Sequence, residues 1–388
     1  MRLDEQHAHL AEAMAERGLW PERAPWIRRA VEDLPRHRFA PDRLWSWDGS
    51  AGVYVPVDRA ADPGRWAAEV YAGPDAPAVT QITGGRASSS LSCPAVVVDM
   101  LDSLLLEPGR RVLELGTGTG WNAALLAHRA GPGRVTSVEV DASLAAGAEA
   151  RLVAAGAQVA VQVGDGTAGW AQDAPYDRVI ATYAVEEVPW AWVEQTRPGG
   201  RIVTPWGRLG HVALTVADGG RAASGWMQGL GMFMPARGTG QGAPFHRIRD
   251  RHPLEVEGPF PRSLDALAGP EGGHLLFALR VLLPEVHITT ETGDRGGVTA
   301  WLHDGHTSWA TLAPRAGTDA GPGAGVVARQ GGPRRLADEV LRAWTVWEER
   351  GAPGLYDFGL TRTEHEQWMW SGDPDGPHWQ PLETAAVH

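Results

Sequence analysis

The residues best suited to bind a ligand lie in the stretch 112–120, which reads VLELGTGTG. The apolar run there predicts a strand, and Gly116, Gly118 and Gly120 predict a tight turn directly after it, followed by a helix at 121–128. Glycine lets the backbone turn sharply and approach a ligand, and the start of a helix presents free N–H groups to that ligand. The pattern therefore predicts a turn that holds a nucleotide-like molecule.

Two carboxylates are expected beside this turn. Glu114 lies at the end of the first strand, where a carboxylate can meet an ammonium or hydroxyl group of the ligand. Glu139 closes the second predicted strand, 135–140, at the place where a nucleotide-binding βαβ unit carries its ribose-hydroxyl ligand. The turn lacks the G-x-G-x-x-G spacing that seats a pyrophosphate, so S-adenosylmethionine fits the sequence better than NAD.

Further motifs follow in a fixed order. A Gly-Asp-Gly turn comes after the predicted third strand 159–163, and PYDRVI and RPGGRIV lead into the fourth and fifth strands. With VLELGTGTGWNAALLA and VTSVEVD, these segments resemble the protein-L-isoaspartate O-methyltransferases over roughly residues 10–226. The resemblance implies an α/β fold of the Rossmann-like class I methyltransferases, with a doubly wound sheet. It also implies S-adenosylmethionine as methyl donor, S-adenosylhomocysteine as product and a peptide as substrate.

The resemblance assigns roles to particular residues. The segment SLSCP resembles the family's Thr-Ile-Ser-Ala-Pro signature, so Ser92 stands where the family has its active-site serine and Ser90 replaces the threonine. These two are the expected catalytic residues. The residues expected to bind the cofactor are Glu114, Gly116, Thr117, Gly118, Gly120, Asn122, Glu139, Val140, Gly164, Asp165 and Gly166, with Asp165 at the adenine ring. Those expected to bind substrate are Thr83, Ser89, Tyr183 and Glu186, although the last two depart from the small residues that the family carries there.

The chemistry explains why serines suffice at this site. A carboxylate is already anionic at neutral pH, so its methylation requires no strong general base. The site has to hold one carboxylate oxygen in line with the sulfonium methyl group, and hydroxyl donors such as Ser92 can do that. The alternative is that the serine run caps a helix predicted at 94–105, and both roles are compatible. Cys93 is expected to be a small packing residue.

Composition restricts the remaining possibilities. The 388 residues carry a net charge of −12, which argues against a general nucleic-acid binder. No apolar run reaches the ~20 residues of a membrane span, and the charged N-terminus does not resemble a secretion signal. A single cysteine fits a reducing compartment, so we expect a cytoplasmic location. We expect a monomer. We also expect no metal site, since His303 and His306 lack carboxylate or cysteine companions.

The chain divides into regions of different composition. A catalytic domain is predicted over 1–232, with N-terminal helices at 1–44, a possible lid at 45–80 and the cofactor-binding core at 81–232. A Gly- and Pro-rich stretch at 234–245 marks the boundary to an α+β extension over 233–388. That extension is expected to contain a hairpin at 298–312, a flexible loop at 317–325 and an amphipathic helix at 334–349.

Two enzymatic functions share the same chemistry. One is general repair of isoaspartate in aged proteins. The other is methylation of an Asp in one modified, macrocyclic, lanthipeptide-like ribosomal precursor, which leads to succinimide (aspartimide) and isoAsp. The extension and the altered loop around Tyr183 favour the dedicated enzyme, because recognition of one constrained peptide could use additional surface. A non-catalytic S-adenosylmethionine-binding scaffold and a small-molecule methyltransferase are weaker alternatives.

Overall fold

A computed structural model of the chain describes residues 2–207, 209–239, 242–293, 296–315 and 325–383. It separates into two compact units. The first comprises Met1–Arg237 together with Thr361–Gln367, and the second comprises Gly238–Leu360 together with Trp368–His388. The division therefore lies five residues after the boundary expected from the sequence, and the return of Thr361–Gln367 to the first unit was not expected. The loop predicted at 317–325 lies, except for its last residue, outside the described residues.

The first unit contains seven helices and eleven complete strands among its described residues. The helices are α1 (Leu3–Glu16), α2 (Pro25–Asp33), α3 (Pro63–Val70), α4 (Pro94–Ser103), α5 (Trp121–Ala130), α6 (Ala142–Ala154) and α7 (Trp190–Glu194). The strands are β1 (Arg43–Asp48), β2 (Val53–Asp58), β3 (Ala78–Thr83), β4 (Arg86–Leu91), β5 (Val112–Leu115), β6 (Val135–Glu139), β7 (Val159–Val163), β8 (Tyr176–Ala181), β9 (Thr196–Trp206), β10 (Gly210–Val216) and β11 (Ala222–Gly229). Short 3₁₀ helices lie at Arg36–Arg38, Gly166–Ala168 and Ala171–Asp173.

A large sheet forms the centre of this unit, with its strands in the order β11-β10-β9-β8-β5-β6-β7. Strands β5 to β9 are parallel to one another, and β10 and β11 continue the sheet as an antiparallel hairpin. All four residues of β5 are buried, as expected of a parallel strand covered on both faces. The strand order reverses between β5 and β8. Ligands of such sheets bind beyond the carboxyl ends of the strands at this switch point.

The two helices that follow β5 and β6 begin in different ways. Helix α5 starts at Gly120, whose φ of +89° lies in the left-handed region that glycine adopts without strain. Helix α6 is capped by the side chain of Asp141, which accepts hydrogen bonds from the N–H groups of Ser143 and Leu144. Both helix starts therefore lie at the carboxyl end of the sheet, next to the switch point.

The segment expected to be a lid at 45–80 is regular rather than irregular. Its strands belong to a four-stranded antiparallel sheet in the order β2-β1-β3-β4, and α3 packs on that sheet through Trp66. The indole Nε1 of Trp66 donates to the carbonyl of Pro41 at 2.9 Å. The scattered Gly, Pro and Asp residues that obscured this pattern lie in the turns. Strand β4, which carries Ser88 to Leu91, is an edge strand of this sheet.

The N-terminal helices complete the core of the first unit. Helices α1 and α2 lie within the region 1–44, where N-terminal helices were expected, and α2 buries Trp26, Ile27, Ala30 and Val31. Phe39 is fully buried. The adjacent His37 lies with its Nδ1 atom 2.6 Å from the hydroxyl of Tyr71.

The second unit is α+β. Its helices are α8 (Phe245–Arg251), α9 (Gly269–Leu282) and α10 (Leu336–Glu349), with 3₁₀ helices at Leu264–Leu267 and Leu355–Asp357. Its strands are β12 (Val256–Phe260), β13 (His287–Thr292), β14 (Val298–His303), β15 (Trp309–Pro314), β16 (Val326–Gly331) and β19 (His378–Trp379), while β17 (Phe358–Thr363) and β18 (Gln367–Ser371) run across the division between the units. A five-stranded sheet has the order β12-β16-β15-β14-β13, so the hairpin expected at 298–312 is formed by β14 and β15.

Within the part of the chain that the structure describes, no helix is long and apolar enough to cross a membrane.

Candidate active site

A cavity of about 720 Å³ lies within the first unit, at the carboxyl ends of β5, β6 and β8. Strand β4 and the residues after it form one wall, and the glycine turn after β5 forms another. The segment from Leu230 to Arg237 contributes a further wall. The cavity therefore combines residues as far apart in sequence as Asp75 and Arg237, as expected where several strand ends and connections meet.

The glycine turn has no room for larger side chains at its first position. Gly116 has a φ of +93°, and a Cβ atom there would collide with the hydroxyl of Thr182 and the ring of Tyr183. Gly118, with a φ of +54°, lies close to the backbone of Ser90, whose carbonyl oxygen would be 3.9 Å from an added Cβ atom. Gly120 does not line the cavity and instead packs closely on α6. The first two glycines shape the cavity, and the third allows the helices to approach each other.

The carboxylate of Glu139 is fixed at the cavity wall. Its Oε2 atom accepts a hydrogen bond from the N–H of Gly118 at 2.9 Å, and its Oε1 atom accepts one from the N–H of Asp141 at 3.1 Å. The residue is only 5% exposed. Two backbone N–H groups fix the orientation of this carboxylate, and each of its oxygens keeps a lone pair free. It can therefore accept hydrogen bonds from ligand hydroxyl groups without reorganisation.

Glu114 differs from the sequence-based expectation, because it lies beneath the cavity rather than on its wall. It is fully buried and accepts hydrogen bonds from the hydroxyl of Ser137 and from Nδ2 of Asn122, the latter at 2.8 Å. Burial raises the pKa of Glu114 to about 7, and the hydrogen bonds from Ser137 and Asn122 only partly oppose this. Of Glu114, Ser137 and Asn122, only Asn122 lines the cavity. Glu114 therefore affects the cavity wall by fixing the orientation of the Asn122 side chain.

Tyr183 lies on the same side of the cavity as the acidic residues. Burial raises the pKa of its hydroxyl, and the nearby carboxylates of Asp165 and Glu139 raise it further. Its hydroxyl occupies the space that a Cβ atom of Gly166 would need. Asp165 lines the cavity and accepts a hydrogen bond from the N–H of Thr167 at 2.9 Å. Tyr183, which we expected to contact substrate, therefore lies beside the residues expected to bind cofactor.

The serine segment also lines the cavity, through Ser88, Ser89, Ser90 and Ser92. Ser92 is half-buried. It does not cap the following helix, because the N-cap of α4 is Cys93, which makes no capping hydrogen bond through its side chain. The alternative explanation for the serine run, helix capping, therefore does not account for Ser92.

The cavity includes most of the predicted site residues but not all of them. Those that line it are Ser89, Ser90, Ser92, Gly116, Thr117, Gly118, Asn122, Glu139, Val140, Asp165, Gly166 and Tyr183. Those that do not are Thr83, Glu114, Gly120, Gly164 and Glu186. Thr83 instead contacts the hydroxyl of Ser88 at 2.9 Å, and the carbonyl of Glu186 accepts hydrogen bonds from the side chains of Trp206 and Gln367, each at 2.9 Å.

A group of polar residues at the cavity was missed by the sequence analysis. Arg237 lines the cavity, and its guanidinium donates to Oδ2 of Asp141 at 3.0 Å and to the side-chain oxygen of Gln81. Nε2 of Gln81 donates to the same carboxylate oxygen at 3.0 Å. We name these three residues the clasp. Hydrogen bonds from Ser143, Gln81 and Arg237 hold the pKa of Asp141 well below its usual range. The three residues are distant in sequence, so no local pattern could have identified them.

These features fit a nucleoside-type cofactor that carries no pyrophosphate. The glycine turn lets the backbone line the cavity at a position where a side chain would not fit. Glu139 and Asp165 provide carboxylates that can accept hydrogen bonds from hydroxyl and amino groups of a ligand. The cavity volume lies within the 300–1,000 Å³ typical of small-molecule sites. The doubly wound sheet and this set of donors and acceptors define a methyltransferase of class I.

Comparison with known proteins specifies the family. The family model described as protein-L-isoaspartate(D-aspartate) O-methyltransferase (PCMT) matches residues 63–228. A protein-L-isoaspartate O-methyltransferase of Methylorubrum populi is 41% identical over 152 residues, which are 39% of this chain and 68% of that protein. The protein-L-isoaspartate O-methyltransferase 1 of Anaeromyxobacter sp. is 36% identical over 202 residues, 52% of this chain and 79% of that protein. The chain belongs to the protein-L-isoaspartate O-methyltransferase family.

A solved structure extends the comparison to the fold of nearly the whole chain. A protein-L-isoaspartate O-methyltransferase matches with a TM-score of 0.52 and 21% sequence identity, covering 95% of this chain and all of that protein. At this identity the match supports the fold alone. The predicted fold class, the enzyme class and S-adenosylmethionine as methyl donor are confirmed.

Proposed function

We propose that this protein transfers a methyl group from S-adenosylmethionine to the side-chain carboxylate of an isoaspartyl residue in a peptide. One observation carries the proposal. A single cavity contains both the glycine turn with its carboxylates and the serine segment that matches the family's signature. A donor and an acceptor bound to these two sets of residues would share one space, which is the first requirement for direct transfer.

The cofactor is assigned to the glycine turn and the acids beside it. The backbone at Gly116 and Gly118 would hold its amino-acid part, Glu139 its ribose hydroxyl groups and Asp165 its adenine ring. When bound, S-adenosylmethionine supplies an electrophilic methyl group on a positively charged sulfur. The ring of Tyr183, wedged between Gly116 and Gly166, would close the floor beneath the adenosine.

The serine segment is assigned to the acceptor. The substrate carboxylate is anionic at neutral pH, so the protein needs no base to activate it. The hydroxyl groups of Ser90 and Ser92 would donate to one carboxylate oxygen and leave the other directed at the methyl group. Val97, Met100 and Phe233 line the same region with apolar surface, which excludes water and strengthens these hydrogen bonds.

Methylation prepares the carboxyl group for ring closure. Ring closure from the free carboxyl group would have to expel hydroxide, which is a poor leaving group. Ring closure from the methyl ester expels methoxide, which leaves more readily. The backbone nitrogen of the next residue attacks the ester carbonyl, the N–H proton and methoxide leave as methanol, and a five-membered succinimide forms. Water then opens this ring at either carbonyl to give Asp or isoAsp. Both later steps are intramolecular or hydrolytic, so the protein has only to position the carboxylate for the first one.

The choice between repair and a dedicated biosynthetic substrate depends on the extension. The sequence favoured a dedicated enzyme because of the added residues after 232. A solved structure named simply as a protein-L-isoaspartate O-methyltransferase covers 95% of this chain, so a comparable length of chain occurs under that general name. We therefore propose linear isoaspartyl peptides as the principal substrates. A modified precursor peptide, the alternative from the sequence, has less support, because Glu186 does not line the cavity and Tyr183 lies beside Asp165 and Glu139.

Mass spectrometry of modified peptides tests the proposal. The protein and S-adenosylmethionine are incubated with a linear isoaspartyl peptide, with its aspartyl isomer and with a cyclised aspartyl peptide. We expect the isoaspartyl peptide to gain the mass of one methylene group and then to lose one water relative to the starting peptide. Glu149→Gln, a change on the exposed face of α6, serves as the matched control for variants of Glu139. Modification of the cyclised peptide alone would favour the dedicated enzyme, and modification of no peptide would contradict both.

A further inference from the structure

Arg36 is buried directly behind the serine segment. It lies in the 3₁₀ helix Arg36–Arg38 and is only 1% exposed. Its Nη2 atom donates to the carbonyl oxygens of Leu91 at 3.1 Å and of Ser92 at 3.0 Å. Its guanidinium carbon lies 5.5 Å from the ring centroid of Trp121, which lines the cavity. A positive charge is therefore fixed against the backbone of the proposed acceptor site.

This charge has no anionic partner in the part of the chain that the structure describes. The Nε and Nη1 atoms of Arg36 are buried and make no hydrogen bond. The titratable groups that act on it are the Tyr71 hydroxyl and the Cys93 thiol. Burial raises the pKa of Tyr71 to about 12 and also raises that of Cys93, so both groups are neutral at pH 7.

Arg36 nevertheless remains charged. Burial lowers the pKa of its guanidinium to about 10, which still leaves it protonated at neutral pH. An unpaired buried charge destabilises the folded state, even after relaxation of the surrounding protein. A neutral donor such as a glutamine side chain could hold two carbonyl groups without that cost. The presence of an arginine here therefore calls for an anion that arrives only when a ligand binds.

We propose that Arg36 is a positioning residue that orders the serine segment through two carbonyl groups and attracts the anionic carboxylate of the substrate to it. This inference rests on the proposed function of the site and assigns it a charge preference. The acceptor carries a full negative charge before methylation and none afterwards. The attraction therefore favours the carboxylate over the methyl ester, so that the reaction itself weakens the binding of its product.

The test compares binding of charged and neutral peptides. The full-length protein is saturated with S-adenosylhomocysteine, and calorimetry measures the affinity for an isoaspartyl peptide, its side-chain methyl ester and its side-chain amide. We expect the wild-type protein to bind the carboxylate roughly tenfold more tightly than the neutral peptides, as one charge in a partly screened interior would produce. Arg36→Gln should remove most of this preference while leaving the affinity for the ester nearly unchanged, and Arg36→Lys should restore part of it.

Matched controls separate electrostatics from folding. Arg38→Gln removes an exposed charge from the same 3₁₀ helix and should leave the preference unchanged. If Arg36→Gln weakens binding of all three peptides equally, Arg36 has only a structural role and the inference is wrong. If that variant fails to bind S-adenosylhomocysteine, the comparison is made on the wild-type protein alone. Equal affinity of the wild-type protein for the carboxylate and the amide peptide would overturn the inference. Failure of the proposed function has a different signature, namely a wild-type protein that binds none of the peptides and methylates none.

Discussion

The Oε2 atom of Glu139 accepts a hydrogen bond from the N–H of Gly118 at 2.9 Å. This bond joins the end of β6 to the turn after β5, two neighbouring strands of the parallel sheet. The acid expected to bind the ribose is thus hydrogen-bonded directly to the glycine turn expected to hold the rest of the cofactor. Its consequences can be tested at each partner.

Replacement of Glu139 by glutamine should weaken cofactor binding. The amide keeps one oxygen, but it presents an NH₂ group either to the N–H of Gly118 or to the ligand. Loss of one charge-assisted hydrogen bond predicts a roughly tenfold to hundredfold weaker affinity for S-adenosylhomocysteine, measured by calorimetry. The exposed control Glu149→Gln should bind like the wild-type protein. An unchanged affinity in Glu139→Gln would show that the carboxylate does not contact the cofactor.

Replacement of Gly116 by alanine should lower stability and cofactor binding far more than the same replacement at Gly131. Gly116 and Gly131 both have positive φ angles, +93° and +97°, but only at Gly116 would the new methyl group collide with other residues, Thr182 and Tyr183. Gly131 has a ψ of 171°, a backbone conformation that essentially only glycine adopts, so Gly131→Ala should cost about 1–3 kcal/mol of the free energy of unfolding from backbone strain alone. Gly116→Ala should cost more and also abolish cofactor binding. Equal losses in thermal unfolding, with cofactor binding intact in both, would contradict the assigned geometry.

Replacement of Glu114 by glutamine should change how stability depends on pH. The pKa of Glu114 is raised to about 7 in the folded protein, above its value in the unfolded chain. The folded state therefore binds more protons between roughly pH 4.5 and 7. The stabilisation is complete below the lower value and is lost as the pH rises through 7. Glu114→Gln lacks this dependence, so its free energy of unfolding relative to wild type should rise by about 2–3 kcal/mol between pH 5 and pH 8. Urea titrations at several pH values measure this difference in free energy of unfolding. A difference that does not change with pH would show that the pKa of Glu114 is not raised in the folded protein.

Replacement of Arg237 should loosen the clasp. Its ion pair with Asp141 connects the wall 230–237 to the start of α6, close to Glu139. The arginine side chain is 36% exposed, so solvent screens the pair and the effect should be small. Arg237→Gln should weaken S-adenosylhomocysteine binding roughly two- to fivefold at low salt and less at high salt. Arg43→Gln, which breaks an exposed pair with Asp58, provides the control. Identical effects of both variants would exclude the clasp from cofactor binding.

The cofactor half of the site was predictable because it is local. Strand β5, its glycine turn, α5 and β6 follow one another directly in the sequence, and each has its own signal in hydrophobic pattern, glycine spacing or terminal acid. The same pattern could not distinguish Glu139, which lines the cavity, from Glu114, which lies beneath it. Both are acids near strand ends, and only the packing of Ser137 and Asn122 around Glu114 separates them.

The remaining features depend on contacts between distant segments. The four-stranded sheet that contains β1 to β4 was not predictable, because its short strands alternate weakly and are separated by turns rich in Gly, Pro and Asp. The sequence analysis assigned no role to Arg36 or Arg237. Their roles follow only from what the fold places beside them, the carbonyl groups of Leu91 and Ser92 for Arg36 and the carboxylate of Asp141 for Arg237.

A crystal structure with S-adenosylhomocysteine and an isoaspartyl peptide would show whether donor and acceptor share this cavity. We expect the ribose hydroxyl groups to contact Glu139 and the adenine to lie beside Asp165. We also expect the peptide carboxylate to accept a hydrogen bond from the hydroxyl of Ser92, with one oxygen facing the cofactor sulfur. A cofactor bound elsewhere, or a carboxylate held away from Ser92, would contradict the shared cavity as the site of methyl transfer.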